Sequence, residues 1–468
     1  YGAGFNAYLS LMKKSAPLSA LRKAPVILCI GLDTRFGRSV IGVELRRAVQ
    51  RGAKVITVHP HQHNLSLISH KWLQPAFGEE ANLLLKLTEM AGEKGKGISA
   101  QKSKGNAHPQ TLMDDLVETA ELLRTADTPV ILIGSEFLQY NHGKEILEAA
   151  DELAEKIHAG VFPLPAQNNL LGSILMGAYP EFLPGGFSSS NKKHLQELKK
   201  IWNAQIPAFI PDEIISTFSN GRKLKVLYLM GEFPPAGYPP ADYLISQNIF
   251  PLEGNWKTDL ALPAAAFTES DGTFVNGEGR VQRAKKAVDA PGAALPDWQI
   301  LCRIAQKMGV AGFDFKNAAE IHREISQFVP GFENFEKPGR NPSPLDCEGK
   351  FIFPEKATLK RKRTNKKFPI VLRTSIPEHT HRGFSLSSRV DGAKKLFPEE
   401  TITINSQDAR RKHISDGDRI MVKSPNFDMD WRATISDEQP SGTLHINLPM
   451  GESLERNPHP VSIRKKNV

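Results

Sequence analysis

Val26-Ile27-Leu28-Cys29-Ile30-Gly31-Leu32-Asp33 is an apolar run of five residues closed by a glycine, and apolar residues return beyond it at Ile41, Leu45, Ala48 and Val49. The i, i+4, i+7, i+8 spacing of that second set predicts an amphipathic helix. The uninterrupted run predicts a strand buried on both faces, as in a parallel sheet. A glycine at the carboxyl end of such a strand lets the backbone approach a phosphate, and the helix that follows offers it unpaired N–H groups. Gly31 and Asp33 are therefore the first candidate binding residues.

The unit recurs outward from there. Val55 to Val58 reads as a second strand, and Leu83, Leu87 and Met90 mark a later helix. Val130-Ile131-Leu132-Ile133-Gly134-Ser135 precedes a helix with Ile146, Ala150, Leu153 and Ile157 on one face, which adds Gly134 and Ser135 to the candidates. Val226 to Met230 runs into Gly231-Glu232-Phe233-Pro234. Leu260-Ala261-Leu262-Pro263 precedes a helix from Pro296-Asp297 with Leu301, Ile304 and Met308 facing inward. Strand, glycine and helix three times over predict doubly wound α/β domains. None of the turns has the spacing of a dinucleotide fingerprint or a Walker loop.

These signals divide the chain into a first α/β domain over residues 1–163, a second over 164–335, a Pro-, Gly-, Lys- and Arg-rich linker over 336–367 and a last domain over 368–468. In the last, short β-rich segments at Ile370 to Arg373, Thr401 to Asn405, Arg419 to Lys423, Trp431 to Ile435 and Leu444 to Leu448 predict a β-barrel.

Composition excludes several functions. Of 468 residues, 24% are charged, and no apolar stretch approaches the ~20 residues needed to cross a bilayer, so direct membrane insertion is not expected. The three cysteines, Cys29, Cys302 and Cys347, are far apart, which rules out a disulfide framework or a Cys-ligated cluster within this chain and fits a reducing cytoplasm. Much of the +9 net charge sits in Lys356 to Lys367 (KATLKRKRTNKK), without interleaved aromatics. A solvated linker or a docking segment for an acidic partner is expected there, and no nucleic acid.

Longer phrases carry a family resemblance. Gln167-Asn168-Asn169-Leu170-Leu171-Gly172, Met176-Gly177-Ala178 and Pro184-Gly185 look like a phrase of formate dehydrogenases, as do Leu229-Met230-Gly231-Glu232 and Thr258 to Pro263. Ala264 to Gln282 (AAAFTESDGTFVNGEGRVQ) resembles a stretch shared by molybdopterin oxidoreductases and the large iron–sulfur subunit of NADH:quinone oxidoreductase. His379-Thr380-His381-Arg382-Gly383 is similar to the family's loop between cap and pterin, and Thr401 to Asp418 to the start of its C-terminal dinucleotide domain.

The resemblance implies an α/β architecture of two doubly wound Rossmann-like domains of formate-dehydrogenase type plus a C-terminal β-barrel of molybdopterin-dinucleotide-binding type. It implies a molybdopterin guanine dinucleotide cofactor, with Gln167, Asn168, Asn169, Gly231, Glu232, Asp259, His379, Arg382 and Gly383 joining the earlier turns as cofactor-binding residues. Iron–sulfur clusters are expected only in a segment preceding Tyr1 or in partners, because the family's metal ligand and cluster cysteines precede the first strand unit. The expected partners are iron–sulfur and flavin subunits of a redox complex, cytoplasmic or peripheral to a membrane.

Two positions depart from the family pattern. Pro165 stands where formate dehydrogenases place an arginine beside the metal, and a cation that orients a carboxylate substrate is missing there. At the end of the second strand the family often has Asp-Pro-Arg, whose acid holds a ribose hydroxyl; here stands His59-Pro60-His61-Gln62-His63. Those imidazoles are alternatively zinc or copper ligands, with no nearby Cys or carboxylate to complete a shell, or plain hydrogen-bonding loop residues; no metal ligand is assigned. Glu269, Asp271 and Glu278 are expected to cap turns and pair with Arg280 or Arg283 rather than perform acid–base chemistry. Three functional readings remain: an electron-transfer or structural subunit with a degenerate cofactor site, a molybdenum or tungsten enzyme whose metal ligand lies outside this chain, and a non-redox scaffold.

Overall fold

β1 (Val26–Ile30) is buried along its whole length and occupies the middle of a five-stranded parallel sheet, the place a strand apolar on both faces must take. Its neighbours are β2 (Lys54–Val58), β3 (Lys71–Leu73), β4 (Val130–Ile133) and β5 (Gly160–Pro163), in the order β3-β2-β1-β4-β5. The chain includes α1 (Gly4–Lys13), α2 (Ser39–Gln50), α3 (Glu80–Gly92), α4 (Pro109–Thr125) and α5 (Gly143–Lys156) around these strands. As its spacing predicts, α2 sets Ile41, Leu45 and Ala48 into one core with Ile27, Cys29 and Val55. α5 likewise buries Ile146, Ala150 and Leu153. In this computed structural model the described residues are 4–35, 37–92, 109–135, 142–165, 167–179, 181–206, 223–231, 239–252, 257–329, 331–333, 364–375, 389–396, 401–448 and 459–466.

The polypeptide forms two compact units, Tyr1–Leu164 with Glu355–Val468, and Pro165–Pro354. In the second, α6 (Leu170–Leu175) is followed by a small hairpin of β6 (Phe182–Leu183) and β7 (Phe187–Ser188), then α7 (Lys192–Trp202). β8 (Leu224–Met230), β9 (Ala241–Asn248) and β10 (Leu260–Pro263) make a parallel sheet in the order β10-β9-β8. β11 (Gly272–Val275) and β12 (Val281–Ala284) pair as a hairpin, and the helices Asp297–Lys307 and Ala318–Ile325 follow. The inward face expected for Asp297–Lys307 is corrected: Met308 is 74% and Leu301 37% exposed, while Ile300 and Cys302 are buried. Ile300 and Ile304 share a stripe as well as Leu301 and Met308 do, so spacing alone did not decide the helix's rotation.

The first unit also contains the expected barrel. β13 (Ile370–Ser375), β14 (Ile402–Ile404), β15 (Arg419–Lys423), β16 (Asp428–Ile435), β17 (Thr443–Asn447) and β18 (His459–Lys465) close in the order β13-β17-β14-β16-β15-β18, which leaves no sheet edge unpaired. Alternate residues, among them Leu372, Ile404, Val422, Leu444 and Val461, fill its core. β18 has no counterpart among the expected strands, because HPVSIRK carries a proline at its second position and ends on charge. Among the described residues no helix is long and apolar enough to cross a membrane.

Candidate functional site

The strand order makes β1 and β4 the place where the chain changes direction across the sheet: β2 and β3 build out to one side, β4 and β5 to the other. Ligands of doubly wound sheets bind in the crevice outside the carboxyl ends at this point. Gly31 and Gly134 stand on its two sides. Gly31 has φ 54°, and its N–H donates to Val58 O at 3.0 Å; the Gly134 N–H donates to Ile30 O at 2.8 Å. A Cβ on Gly134 would fall 1.7 Å from Gly31 O, so the two turns touch backbone to backbone. Ser135, next in the chain, is buried, and its hydroxyl accepts a hydrogen bond from the Arg38 guanidinium.

Arg38 is itself in the left-handed region (φ 52°) as the residue that opens α2, so a cation and a helix N-terminus converge on the crevice. Asp33 turns inward on its own loop, where Oδ1 accepts the Arg35 N–H at 2.9 Å, and Arg35 pairs with Glu438 of the β16–β17 connection at 3.1 Å. Arg38 was not among the expected site residues; its position just before an apolar-periodic helix was the available signal.

At the carboxyl end of β2 the three histidines of the HxHxH stretch lie in a loop. His59 and His63 stack with ring centroids 4.3 Å apart, and His61 meets His59 edge-on at 4.2 Å. The Nδ1 atoms of His59 and His63 both face the His61 carbonyl, at 3.0 and 3.2 Å, and the Trp72 indole N–H donates to His59 O. From the barrel, Arg373 reaches His61 Nδ1 at 2.6 Å, and His445 lies 5.9 Å from the His61 ring. Burial holds all four imidazoles below the ordinary histidine range, and the Arg373 charge pushes His59, His61 and His445 the same way. Among the described residues no group of three or more His, Cys, Asp or Glu is arranged to hold a metal.

In the second unit Gly231 has φ 90°, its N–H donates to Gln247 O at 2.9 Å, and among the described residues nothing lies within 4 Å of where a Cβ would stand. That open turn ends β8. Asp259 precedes β10 and therefore sits at the opposite end of the parallel sheet, where its Oδ2 accepts the Leu244 N–H at 2.7 Å. The amide triplet also divides. Gln167 is half-buried and Asn168 exposed, whereas Asn169 Oδ1 accepts the Val275 N–H at 2.9 Å and so ties the α6 start to β11.

In the FVNGEGR loop, Asn276 Oδ1 accepts the N–H groups of Glu278 and Arg280, which makes it a turn former. The acids cap turns and pair as expected: Glu269 accepts the Ala266 N–H at 2.8 Å, Asp271 faces Arg283 at 3.6 Å, and Glu278 faces Arg280 at 3.7 Å. Pro165 packs against Gly277, where a Cβ would lie 3.0 Å from its Cδ. Glu232, His379, Arg382 and Gly383 lie outside the described residues.

The geometry gives a mixed fit to a pterin dinucleotide. The Arg38 guanidinium beside Ser135, and separately the turn at Gly231, suit phosphate groups, whereas the Gly31 and Gly134 N–H groups are taken by Val58 O and Ile30 O. Among the described residues, the end of β2 itself presents imidazoles and the Arg373 guanidinium where a ribose diol would need a carboxylate.

The molybdopterin oxidoreductase family model matches residues 7–307, and the molybdopterin dinucleotide binding domain model matches residues 371–462. "F420-dependent formate dehydrogenase 2 subunit alpha" of Methanococcus maripaludis is 26% identical over 92% of this chain and 72% of its own length. "Formate dehydrogenase H" of Escherichia coli is 23% identical over 95% of this chain and 71% of its own. "Probable oxidoreductase YjgC" of Bacillus subtilis is 26% identical over 94% of this chain, which spans only 50% of that protein. Among solved structures, acetylene hydratase from Pelobacter acetylenicus shares the fold with a TM-score of 0.61 at 12% identity, over 96% of this chain and 76% of that one. With one model spanning its two α/β portions and another its barrel, this chain belongs to the molybdopterin oxidoreductase family.

Proposed function

We propose that this chain is the large-subunit core of a formate-dehydrogenase-type redox complex, serving as an electron-transfer or structural subunit, as the large iron–sulfur subunit of NADH:quinone oxidoreductase does. The observation that carries this reading is the end of β2: His59, His61 and His63, closed over by Arg373 and His445, occupy the place where a carboxylate would take a ribose. Pro165 adds to it. A proline packed on Gly277 supplies no cation to orient a small carboxylate substrate. Molybdopterin guanine dinucleotide, when bound, supplies two-electron redox chemistry. Arg38 would hold its phosphates through its guanidinium, placed beside Ser135 by the Gly31 and Gly134 turns whose own N–H groups stay on Val58 O and Ile30 O, and Gly231 offers a second close approach.

The partners in this reading are iron–sulfur and flavin subunits, and the complex is cytoplasmic or peripheral to a membrane. A second reading is favoured by the relatives, several of which are named as alpha subunits of formate dehydrogenases: a molybdenum or tungsten enzyme whose metal ligand lies outside these residues. Metal and pterin analysis of the purified full-length complex separates the two. Substoichiometric molybdenum and tungsten with intact electron transfer supports the first; one metal and two pterins per chain with formate turnover overturns it in favour of the second.

A further inference from the structure

Arg373 is only 3% exposed, yet it has no carboxylate partner among the described residues. Its Nη1 meets His61 Nδ1 at 2.6 Å, its guanidinium lies 4.5 Å over the Phe77 ring, and its buried Nε has no hydrogen-bond partner among the described residues. A guanidinium stays charged at any physiological pH, and a charge withdrawn from water demands a counter-charge. Among the described residues the groups packed around it carry none: His59, His61 and His63 from the β2 loop, and Ser375 and His445 from the barrel, which bond each other at 2.7 Å. Asp33 acts on His63, and its Oδ1 is taken by the Arg35 N–H.

His59 and His63 present further unused groups. Both residues are 1% exposed, both rings are fixed through Nδ1 on the His61 carbonyl, and both buried Nε2 atoms lack a hydrogen-bond partner among the described residues. A metal would use such nitrogens, but the adjacent guanidinium repels a cation. An anion is attracted by the same charge, and each imidazole that gains a proton becomes a second donor to it. His61 and His445 are only half-buried, so the cluster is not sealed from solvent.

We infer that Arg373, with His59, His61, His63 and His445, forms a tetrahedral-oxyanion site at the carboxyl end of β2, taking a phosphoryl group in the place a ribose diol would occupy. The ligand is either free phosphate or the phosphoryl group of a nucleotide. The inference goes beyond the proposed function, and its test reads anion binding itself rather than pterin or metal content.

The test is thermal unfolding of the purified full-length protein in chloride, sulfate and phosphate at equal ionic strength, for wild type and Arg373→Met. Sulfate and phosphate stabilise most proteins by exclusion from their surface, so the informative quantity is the difference between the two proteins. Wild type is expected to gain a larger, saturable rise in Tm, with binding roughly tenfold or more tighter than in the variant. Arg373→Met is expected to fold and to be no less stable in chloride, because it removes an uncompensated buried charge.

Calorimetric titration of wild type with sulfate, repeated in buffers of different ionisation heat, needs no variant and is expected to show proton uptake on binding. Equal Tm gains in both proteins, or absence of saturable sulfate and phosphate binding to wild type, overturns the inference. Guanosine monophosphate separates the sources: tighter binding than inorganic phosphate assigns a nucleotide, and equal or weaker binding assigns the free ion.

Discussion

The carbonyl oxygen of Gly31 lies 1.7 Å from the point where a Cβ on Gly134 would stand, and the atoms such a Cβ would meet are all backbone. No rotamer change relieves such an overlap; the ends of β1 and β4 would have to separate. Gly134→Ala is therefore expected to cost about 3 kcal/mol or more, the upper end of overpacking effects. Gly52→Ala is the control. It has φ 93° with nothing within 4 Å of its Cβ position, so it carries only backbone strain of about 1–2 kcal/mol. Urea denaturation of both variants checks the contrast, and equal midpoints would show that the two turns do not touch.

How much of this was legible in the sequence depends on the range of the contacts involved. β1, β4 and their glycines were readable because a central parallel strand is apolar on both faces and ends abruptly. β9 was not: ADYLISQN mixes polar and apolar residues, since parts of both its faces are exposed. β5, four residues long, offers too short a pattern. At the candidate site, the HxHxH stretch drew attention as a run of histidines, but what it does is set by Arg373 and His445, which lie more than three hundred residues away in sequence and arrive only when the barrel closes. Local spacing carries no trace of such a pairing. Asn169 and Asp259 were recognised as motif residues, yet a motif does not say whether an amide or acid serves a ligand or the backbone; here each accepts a strand N–H.

Asn169 bridges the QNN phrase and the FVNGEGR loop, so its removal should loosen β11 before it affects any ligand. Its side chain sits so close to Gly172 that a Cβ there would fall 2.1 Å from Oδ1. Asn169→Ala and Gly172→Ala thus break the same bond to the Val275 N–H, one by deletion and one by displacement. Each is expected to destabilise by about 1–2 kcal/mol, and the double variant by less than their sum. Hydrogen exchange at the Val275 amide should quicken in both single variants; protection unchanged from wild type would count against the bridge.

Cys29 lies within β1, 1% exposed, and burial pushes its thiol well above the ordinary cysteine range. The reactive species is the thiolate, so native protein should leave Cys29 unmodified by iodoacetamide while urea-unfolded protein is labelled fully. Cys302 is also raised by burial, with the Asp314 charge acting the same way, but its shift is smaller and it should react slowly. Peptide mass spectrometry after timed labelling gives the order; rapid native labelling of Cys29 would mean that the sheet opens readily at its centre.

The histidine cluster makes the first unit acid-sensitive, and the sign follows from burial. His59, His61, His63 and His445 all have folded-state values below the ordinary 6.5, with His445 lowered to about 3. In the unfolded chain they titrate near 6.5, so between that pH and their folded values the unfolded state binds more protons, and stability falls as pH falls. Their stabilising contribution is complete above about pH 7 and is lost progressively below about 6.5, at up to about 1.4 kcal/mol per pH unit for each group. Urea midpoints measured in chloride from pH 8 to pH 5 should therefore decline in the acid half of the range. His445→Gln keeps a hydrogen-bonding partner for Ser375 Oγ but has no proton to gain, so it should flatten the decline. Sulfate should flatten it too in wild type, because an anion beside Arg373 favours the charged imidazoles that burial otherwise forbids. A decline that neither sulfate nor His445→Gln alters would place the acid sensitivity elsewhere in the chain.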